Sequence, residues 1–231
     1  KVMSAVEYKH PHTFVDEGGK LKKPINQPGD GTAGDDWEVE QFPMVQADLS
    51  YALGASGSTR KKLANASGCI IDYIGSIAII CGVLEERQRA KDYLGWLLKQ
   101  RDGPLDVDIK GRTDVDTVNV HKEHMGLITG YKGESLRELE KETETFCLIK
   151  EKENPESPFE QLLIFGYSPQ GRRRAKMMVE GAIERRKMLE NQHRYDDRHF
   201  GGRGDFRDRV SHGPRGYGPP PSYGPPSGYG D

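Results

Sequence analysis

The sequence has little of what marks a membrane protein or a disulfide-stabilised secreted domain. No apolar run reaches the roughly 18 residues that a membrane span needs, and the longest candidate, residues 77–84, is broken by Cys81 and Gly82. No charged-then-apolar leader is visible. Only three cysteines occur, Cys69, Cys81 and Cys147, and no two form a CxxC pair. Each lies in an apolar stretch, which favours buried reduced thiols in a cytoplasmic or nuclear protein over disulfides or zinc ligands.

A large net positive charge, which is typical of nucleic-acid-binding domains, is also missing. The chain has 34 Lys and Arg residues against 36 Asp and Glu residues, a formal net charge of −2. These charges are unevenly spread: residues 50–99 sum to +3, residues 100–168 to −6 and residues 169–194 to +5. The near-neutral total therefore does not exclude a nucleic-acid partner, but the acidic block is the place where that function is least expected.

Residue patterns that carry catalysis or hold a metal are not found in the sequence. No Ser-His-Asp set and no paired carboxylates stand out. His121 and His124 are close in sequence but have no third ligand at a metal-like spacing, which favours ordinary surface histidines. We therefore expect a protein that is not an enzyme and that uses no cofactor.

Two long regions are present that repeat the same order of predicted elements. We name them the first repeat (residues 38–100) and the second repeat (residues 113–194). In the first repeat the apolar pattern predicts strands at 38–45, 69–74 and 77–81 and helices at 47–53, 58–67 and 84–99. In the second it predicts strands at 114–120, 146–150 and 161–165 and helices at 122–129, 134–144 and from Pro169 onward. This self-similarity indicates an internal duplication.

The remaining segments have the composition of connections. Residues 10–37 are rich in Pro, Gly and Asp and predict a linker, and residues 101–112 predict a short polar joint. Residues 195–231 hold 9 Gly and 6 Pro, first in an Arg/Gly pattern and then in a Tyr-Gly-Pro pattern, which predicts a disordered tail. Residues 1–9 match part of the last predicted helix, so they are either the last-helix remnant of a preceding repeat or a chance match.

The loop between the two short helices has the same glycine spacing in both repeats. The first loop is Gly54-Ala55-Ser56-Gly57 and the second loop is Gly130-Tyr131-Lys132-Gly133. On this GxxG motif and the order β-α-α-β-β-α, the chain resembles tandem KH (K homology) domains of the eukaryotic type, as in the multi-KH proteins of protists. The resemblance covers both repeats and implies an α+β fold. In each type I KH domain a three-stranded antiparallel sheet packs against three helices.

The resemblance implies binding of single-stranded RNA or DNA, with about four nucleotides for each KH domain. Glycine lets a phosphate approach main-chain N–H groups closely, and the helix that follows offers its free N–H groups to the anion. The residues implied in nucleic-acid contact are Gly54, Ala55, Ser56, Gly57, Arg60, Lys61, Gly130, Tyr131, Lys132, Gly133 and Arg137. The bases would lie in an apolar groove contacted by Leu53, Ile71, Thr129 and Leu148.

Several departures from the family pattern affect this expectation. Arg60 stands where the family has an aliphatic residue, which the second repeat keeps as Leu136, and Glu144 takes the place of the helix-ending Gly68. The helix after the second loop carries five glutamates between residues 134 and 144, which opposes phosphate binding at its far end. Because the first loop has no basic residue, the second loop with Lys132 is the better candidate and the first groove is a candidate for degeneracy.

Two further features bear on partners. The last predicted helix carries a cationic cluster that leads into the tail, and this continuity favours a second phosphate-contacting surface over a simply solvated face. The cluster consists of Arg172, Arg173, Arg174, Lys176, Arg185, Arg186 and Lys187. The alternative to RNA binding is a KH-fold scaffold in a large ribonucleoprotein or protein assembly, where partly degenerate grooves give way to contacts with other KH modules or subunits. Neither interpretation involves a membrane.

Overall fold

The structure, a computed structural model, describes residues 2–18, 20–22, 37–103, 105–150 and 156–200. This part of the chain is a mixed α+β fold with two three-stranded antiparallel sheets. The chain divides into two units, Lys1–Lys187 and Met188–Asp231. Of the second unit the structure describes only residues 188–200, which are the end of the last helix. Within the described ranges, no helix is long and apolar enough to cross a membrane. The predicted disordered tail beyond residue 200 lies outside the described residues.

The first repeat follows an N-terminal helix, α1 (Val2–Lys9), and has the predicted order of elements. Its strands are β1 (Glu38–Pro43), β2 (Ile70–Ile74) and β3 (Ile77–Gly82), and its helices are α2 (Gln46–Leu53), α3 (Ser58–Ser67) and α4 (Leu84–Asp102). β3 lies between the other two strands and is antiparallel to both. α3 ends at Gly68, whose left-handed conformation (φ 79°) closes the helix.

The second repeat has the same order and the same sheet topology. Its strands are β4 (Val115–His121), β5 (Phe146–Lys150) and β6 (Phe159–Phe165), and its helices are α5 (Lys122–Thr129), α6 (Glu134–Thr143) and α7 (Pro169–Phe200). β6 is the central strand. α7 runs to Phe200, so the predicted start of the tail at residue 195 is wrong. The helix continues because the first glycine after residue 194 is Gly201.

Each sheet uses its two faces differently, because successive side chains of a strand point to opposite sides. In the first repeat, Ile71 and Ile80 belong to the same core as Leu63 of α3. In the second repeat, Leu162 and Ile164 of β6 belong to the core that α5, α6 and α7 complete. These helix-facing sides form the interior of each repeat.

The opposite side of the second sheet packs against the first repeat. Its side chains Phe146, Leu148, Leu163 and Phe165 are each no more than 2% exposed and belong to the core of the first repeat. The ring centroid of Tyr93 on α4 lies 5.5 Å from the centroids of both Phe146 and Phe165. The two repeats therefore share one apolar core, and they do not hang on a flexible tether.

The outer side of the first sheet is covered by the described part of the N-terminal segment, residues 2–18 and 20–22. Val15 is buried there in a cluster with Ile77. The buried Glu7 carboxylate holds the turn after α1 by accepting two backbone N–H groups at 2.6 and 2.7 Å. The prediction of a linker over residues 10–37 is thus wrong for its first part, which packs on the sheet because Val15 supplies an apolar anchor. Residues 23–36 of that linker lie outside the described residues.

The joint between the repeats is also packed. Val107 is 2% exposed and belongs to the shared core, so the prediction of a polar joint over residues 101–112 is corrected. Alternate side chains of this segment point into the core, which a reading of overall polarity misses. Arg112 fixes the end of the joint, since its guanidinium pairs with Asp92 and with Asp114, each at 2.7 Å.

Two buried arginines occupy matching places at the start of the last helix of each repeat. Arg87 donates from Nη1 to the carbonyl of Gly82 at 2.7 Å, and Arg172 donates from Nη1 to the carbonyl of Gly166 at 2.5 Å. Both other nitrogens of Arg87 donate to carboxylates on β1. In Arg172, Nε donates to the Asp116 carboxylate on β4 and Nη2 donates to the Thr113 carbonyl. Arg172 is 8% exposed, so its predicted place in a phosphate-contacting surface is wrong, because its guanidinium is used inside the fold.

Candidate nucleic-acid interface

Both GxxG loops are single turns of 3-10 helix between two α-helices, and their backbones match. The first loop joins α2 to α3, and the second joins α5 to α6. Gly54 and Gly130 have φ of 71° and 69° with extended ψ. Gly57 and Gly133 have φ of 75° and 77°, in the left-handed region. The two repeats therefore present the same loop conformation at the same point of the fold.

The first glycine of each loop is required by close packing. A β-carbon on Gly54 would lie 2.2 Å from Oγ1 of Thr59 and 2.8 Å from its backbone nitrogen. On Gly130 it would lie 2.2 Å from Oγ of Ser135 and 2.9 Å from its backbone nitrogen. No side chain fits such a space. The motif spacing alone therefore reflects the fold, and binding depends on the side chains around the loops.

Those side chains differ between the two loops. Ala55 and Ser56 carry no charge, whereas Tyr131 is 78% exposed and the Nζ of Lys132 lies 5.2 Å from the centroid of its ring. Ser56 and Lys132 both have positive φ, 53° and 50°. The second loop therefore places an ammonium group and an exposed aromatic ring directly before the N-terminus of α6, where free N–H groups and the helix dipole favour an anion.

Arg60 lies across the groove of the first repeat. Its Nη1 donates to the carbonyl of Ile71 on β2 at 2.9 Å, and its Nε would be 3.9 Å from a β-carbon on Gly57. The guanidinium thus extends from the first loop to the edge strand of the sheet. Leu136 stands at the matching position of the second repeat and has no polar group. At least one N–H group of Arg60 is thus already hydrogen-bonded within the protein, in the groove where the KH resemblance places the bases.

The predicted groove residues are only partly accessible. Leu53 is 38% exposed, and Thr129 is half-buried with its hydroxyl donating to the Met125 carbonyl at 3.0 Å. Ile71 is 1% exposed and Leu148 2% exposed, so the prediction that these two contact bases is wrong. Ile71 lies in the interior of its own repeat. Leu148 lies on the opposite side of the second sheet, against the first repeat.

Two cations predicted for separate loops meet in one place. Lys61 on α3 and Arg137 on α6 occupy matching positions one turn beyond the two loops, and both are exposed. Together with Ala55 and Ser56 they line a single cleft between the repeats. The sequence does not show that these two cations line one cleft, because this depends on how the first repeat packs against the second sheet.

Among known protein families, a match is found in the second repeat. The KH domain family matches residues 115–181, from the start of β4 into α7. The second repeat contains a KH domain. Among curated proteins, none matches the chain.

Three archaeal structures are among the solved structures with similar chains. Dim2p from Pyrococcus horikoshii OT3 is 13% identical, covers 63% of this chain and 90% of its own length, and has a TM-score of 0.26. The complex of a/eIF2alpha, aDim2p and rRNA from the same organism gives 13% identity, coverage of 64% and 86%, and a TM-score of 0.26. A protein of unknown function from Aeropyrum pernix is 17% identical, with coverage of 68% and 97% and a TM-score of 0.25.

Two glutamates of the acidic helix α6 in the KH domain are paired with cations. Glu140 is 3% exposed, its carboxylate lies 2.8 Å from the Nζ of Lys62 on α3, and it accepts the N–H of Cys147 at 2.9 Å. Burial raises the pKa of Glu140, and the Lys62 ammonium opposes that rise. Glu142 is paired with Arg174 of α7. Two of the five glutamates predicted to oppose phosphate binding are therefore paired with cations of α3 and α7.

The histidines and cysteines that the structure describes form no metal-binding group near the loops. His124 is 8% exposed, so the prediction of a surface histidine is wrong for it, and its ring centroid lies 6.2 Å from that of His121. Cys69 and Cys147 are buried free thiols, and burial raises the pKa of Cys69 to about 12. Among the described residues, no group of His, Cys, Asp and Glu is arranged to hold a metal ion.

Proposed function

We propose that this protein binds single-stranded RNA and that the second loop of its KH domain is the principal contact with the phosphate backbone. The observation that carries the proposal is the second loop itself. It combines a positive-φ GxxG backbone with the ammonium group of Lys132 and the exposed ring of Tyr131, directly before the N-terminus of α6. KH domains clamp nucleotide backbones with this loop.

Each part of the second loop has a separate role in this proposal. The first N–H groups of α6 have no partner within the helix and face the anion. Lys132 adds a full positive charge, and an exposed aromatic ring such as that of Tyr131 stacks on bases without sequence preference. Such contacts give salt-dependent binding with little sequence selectivity from the loop itself.

The first repeat is proposed as a second, weaker KH module. Its element order, sheet topology and loop backbone match those of the KH domain. It lacks a cation in the loop, and Arg60 extends across its groove to the Ile71 carbonyl. Because the repeats share a core, the first repeat contributes at a fixed distance from the second and not through a loose linker.

A scaffold role is the second candidate, and one observation favours it. The helices of the first repeat are covered by the second sheet through Phe146, Leu148, Leu163 and Phe165. This use of a KH-like fold as a packing surface is what a scaffold in a ribonucleoprotein or protein assembly requires. It would leave the GxxG motifs as structural turns, which the steric need for Gly54 and Gly130 alone would explain.

Paired aspartate substitutions in the two loops separate these functions. Tyr131→Asp with Lys132→Asp alters the second loop, and Ala55→Asp with Ser56→Asp is the matched change in the first. Aspartate tolerates the left-handed conformation at Lys132 and Ser56, so both variants are expected to fold.

Both variants are titrated with a random single-stranded RNA pool at two salt concentrations, with circular dichroism to check the fold. We expect the second-loop variant to lose at least tenfold in affinity, since an anion now faces the phosphate, and the first-loop variant to lose less. Unchanged affinity in both folded variants would favour the scaffold.

A further inference from the structure

A cleft of about 570 Å³ lies where the first loop faces the second repeat. One wall is formed by the first loop and α3, including Ser56, Lys61 and Lys62. The other wall is formed by α6, including Arg137 and Lys141. Both walls belong to the same compact unit, and the shared core holds them in place. The cleft is therefore a built feature of the interface between the repeats.

Positive charge dominates this cleft. Of its four cations, Lys62 is committed to the buried Glu140 at 2.8 Å. Within the described part of the chain, Lys61, Arg137 and Lys141 form no salt bridge. Three cations thus remain for a ligand, and the ligand class they select is an anion.

Acidic groups in the cleft do not cancel this charge. Glu140 is already paired with Lys62 and accepts the N–H of Cys147, and its carboxylate also interacts electrostatically with Arg137 without forming a salt bridge. The one further carboxylate among the lining residues is that of Glu144, which lies 3.4 Å from the side-chain nitrogen of Asn65. The three free cations therefore exceed the remaining carboxylate.

Arg137 connects the cleft to the second loop. A β-carbon on Gly133 would lie 3.3 Å from its Nη1, so the guanidinium is next to the last glycine of the second loop. The same side chain lines the cleft opposite Ala55 and Ser56 of the first loop. One guanidinium, with its fixed fork of donors, thus reaches toward both loops.

We propose that this cleft binds a phosphate group of the RNA strand between the two loops, so that one strand runs from the first loop across Lys61, Arg137 and Lys141 to the second loop. The proposal rests on the RNA-binding function proposed above. It also accounts for the uncharged first loop, since α6 of the second repeat supplies the cations that Ala55 and Ser56 lack.

The test removes the cleft cations on the second-repeat side. The double variant Arg137→Ala with Lys141→Ala is compared with Lys99→Ala with Lys110→Ala. Both pairs remove two exposed positive charges, but Lys99 and Lys110 do not line the cleft. Dissociation constants are measured for random single-stranded RNA pools of 4 and 12 nucleotides at two salt concentrations. Circular dichroism confirms that each variant is folded.

A strand that crosses the cleft must be longer than one groove, so the two pool lengths give different results. We expect the cleft variant to bind the 12-nucleotide pool roughly tenfold more weakly, with a smaller loss for the 4-nucleotide pool. The slope of the logarithm of its binding constant against the logarithm of the salt concentration should become shallower by about 0.7 for each phosphate contact that is lost. The control pair should change either affinity less than about twofold.

The remaining outcomes separate this inference from the proposed function. An equal loss for both pools would overturn the inference, because Arg137 would then serve the second loop alone. No loss for either pool would overturn it as well, and the proposed function would stand if the Tyr131→Asp, Lys132→Asp variant still lost affinity. If the unaltered protein bound neither pool, the proposed function would fail and this inference with it.

Discussion

The two GxxG loops of this protein have the same backbone and opposite chemical character. In both, the first glycine has φ near 70° and leaves no room for a β-carbon, and the third residue has positive φ. The first loop then exposes Ala55 and Ser56 beside an arginine that is bonded to β2. The second exposes Tyr131 and Lys132 at the start of α6.

This difference separates what the fold needs from what a ligand needs. Glycine spacing is fixed by the turn between two helices, so it persists whether or not the loop binds anything. Charge and aromatic exposure are not needed by the turn, because the first loop folds without them. The residues between the glycines are therefore the better guide to function, and they favour the second loop.

The largest expected effect concerns the shared core on which both loops rest. Phe165→Ala removes a buried ring 4.8 Å from Trp96 and should lower the free energy of unfolding by about 4 kcal/mol. Because this ring lies on the second sheet and belongs to the core of the first repeat, it joins the two repeats, which should still unfold in one transition. Denaturant unfolding followed by tryptophan fluorescence and by circular dichroism measures this. Two separate transitions would mean that the loops sit on independent domains.

The comparison also predicts that the two loops need their first glycine equally. Gly54→Ala and Gly130→Ala each force a β-carbon to within 2.9 Å of a backbone nitrogen at positive φ, and each should cost roughly 2–3 kcal/mol of stability. Gly126→Ala in α5 is the control. It meets no atom within 4 Å and should stabilise by about 0.5–1 kcal/mol. Thermal or denaturant unfolding compares the three, and a loss at one loop only would break the equivalence.

A smaller effect is expected at the ion pair that joins the repeats beside the first loop. Lys62→Met leaves the Glu140 carboxylate buried without its salt-bridge partner and should destabilise by about 2 kcal/mol at neutral pH. The pKa of Glu140 is already raised by burial and should rise further in the variant. Because the pKa of Glu140 is higher in the folded state than in the unfolded state, the folded state gains stability as the pH falls and the carboxyl becomes protonated. The loss of stability in the variant should therefore shrink toward about pH 5.

Unfolding of this variant is measured at both pH values. Adding Glu140→Gln to Lys62→Met removes the buried charge and should restore most of the stability at neutral pH. A loss that was independent of pH, or that the second change did not relieve, would show that the pair is not what holds this part of the interface.

The smallest effect is expected at the first groove. Arg60→Leu places in the first repeat the residue that the second repeat has at Leu136, and it removes the hydrogen bond to the Ile71 carbonyl. Because this guanidinium already has a protein partner, RNA affinity should change less than about twofold, and stability by about 1 kcal/mol or less. Tenfold weaker RNA binding by the folded variant would instead make Arg60 a phosphate contact and the first groove an active one.

Sequence patterns were sufficient to predict the order of helices and strands and the positions of both GxxG loops. Periodicity and turn residues placed α3 and α5 at their observed bounds and located both GxxG turns, because local conformational preferences determine these features. The replacement of Gly68 by Glu144 was also visible in the sequence. In the structure Glu144 adopts the same left-handed conformation, with φ 55°.

Features that depend on the packing between repeats could not be predicted. Alternation along β5 separates Leu148 from its neighbours but does not say which side of the sheet faces a second repeat. Arg172 looked like one more cation on a basic helix, although it is bonded inside the fold. The meeting of Lys61 with Arg137 depends on the same packing, since residues far apart in sequence meet only when the sheet of one repeat covers the helices of the other.

The most direct test of RNA binding at the second loop is a titration followed by NMR. Short single-stranded RNA is added to the 15N-labelled protein, and the amide signals of both loops are recorded. We expect the largest shifts at Gly130, Tyr131, Lys132, Gly133 and the first turn of α6, with smaller shifts at the first loop. Shifts confined to residues outside both loops, or none at all, would contradict this expectation.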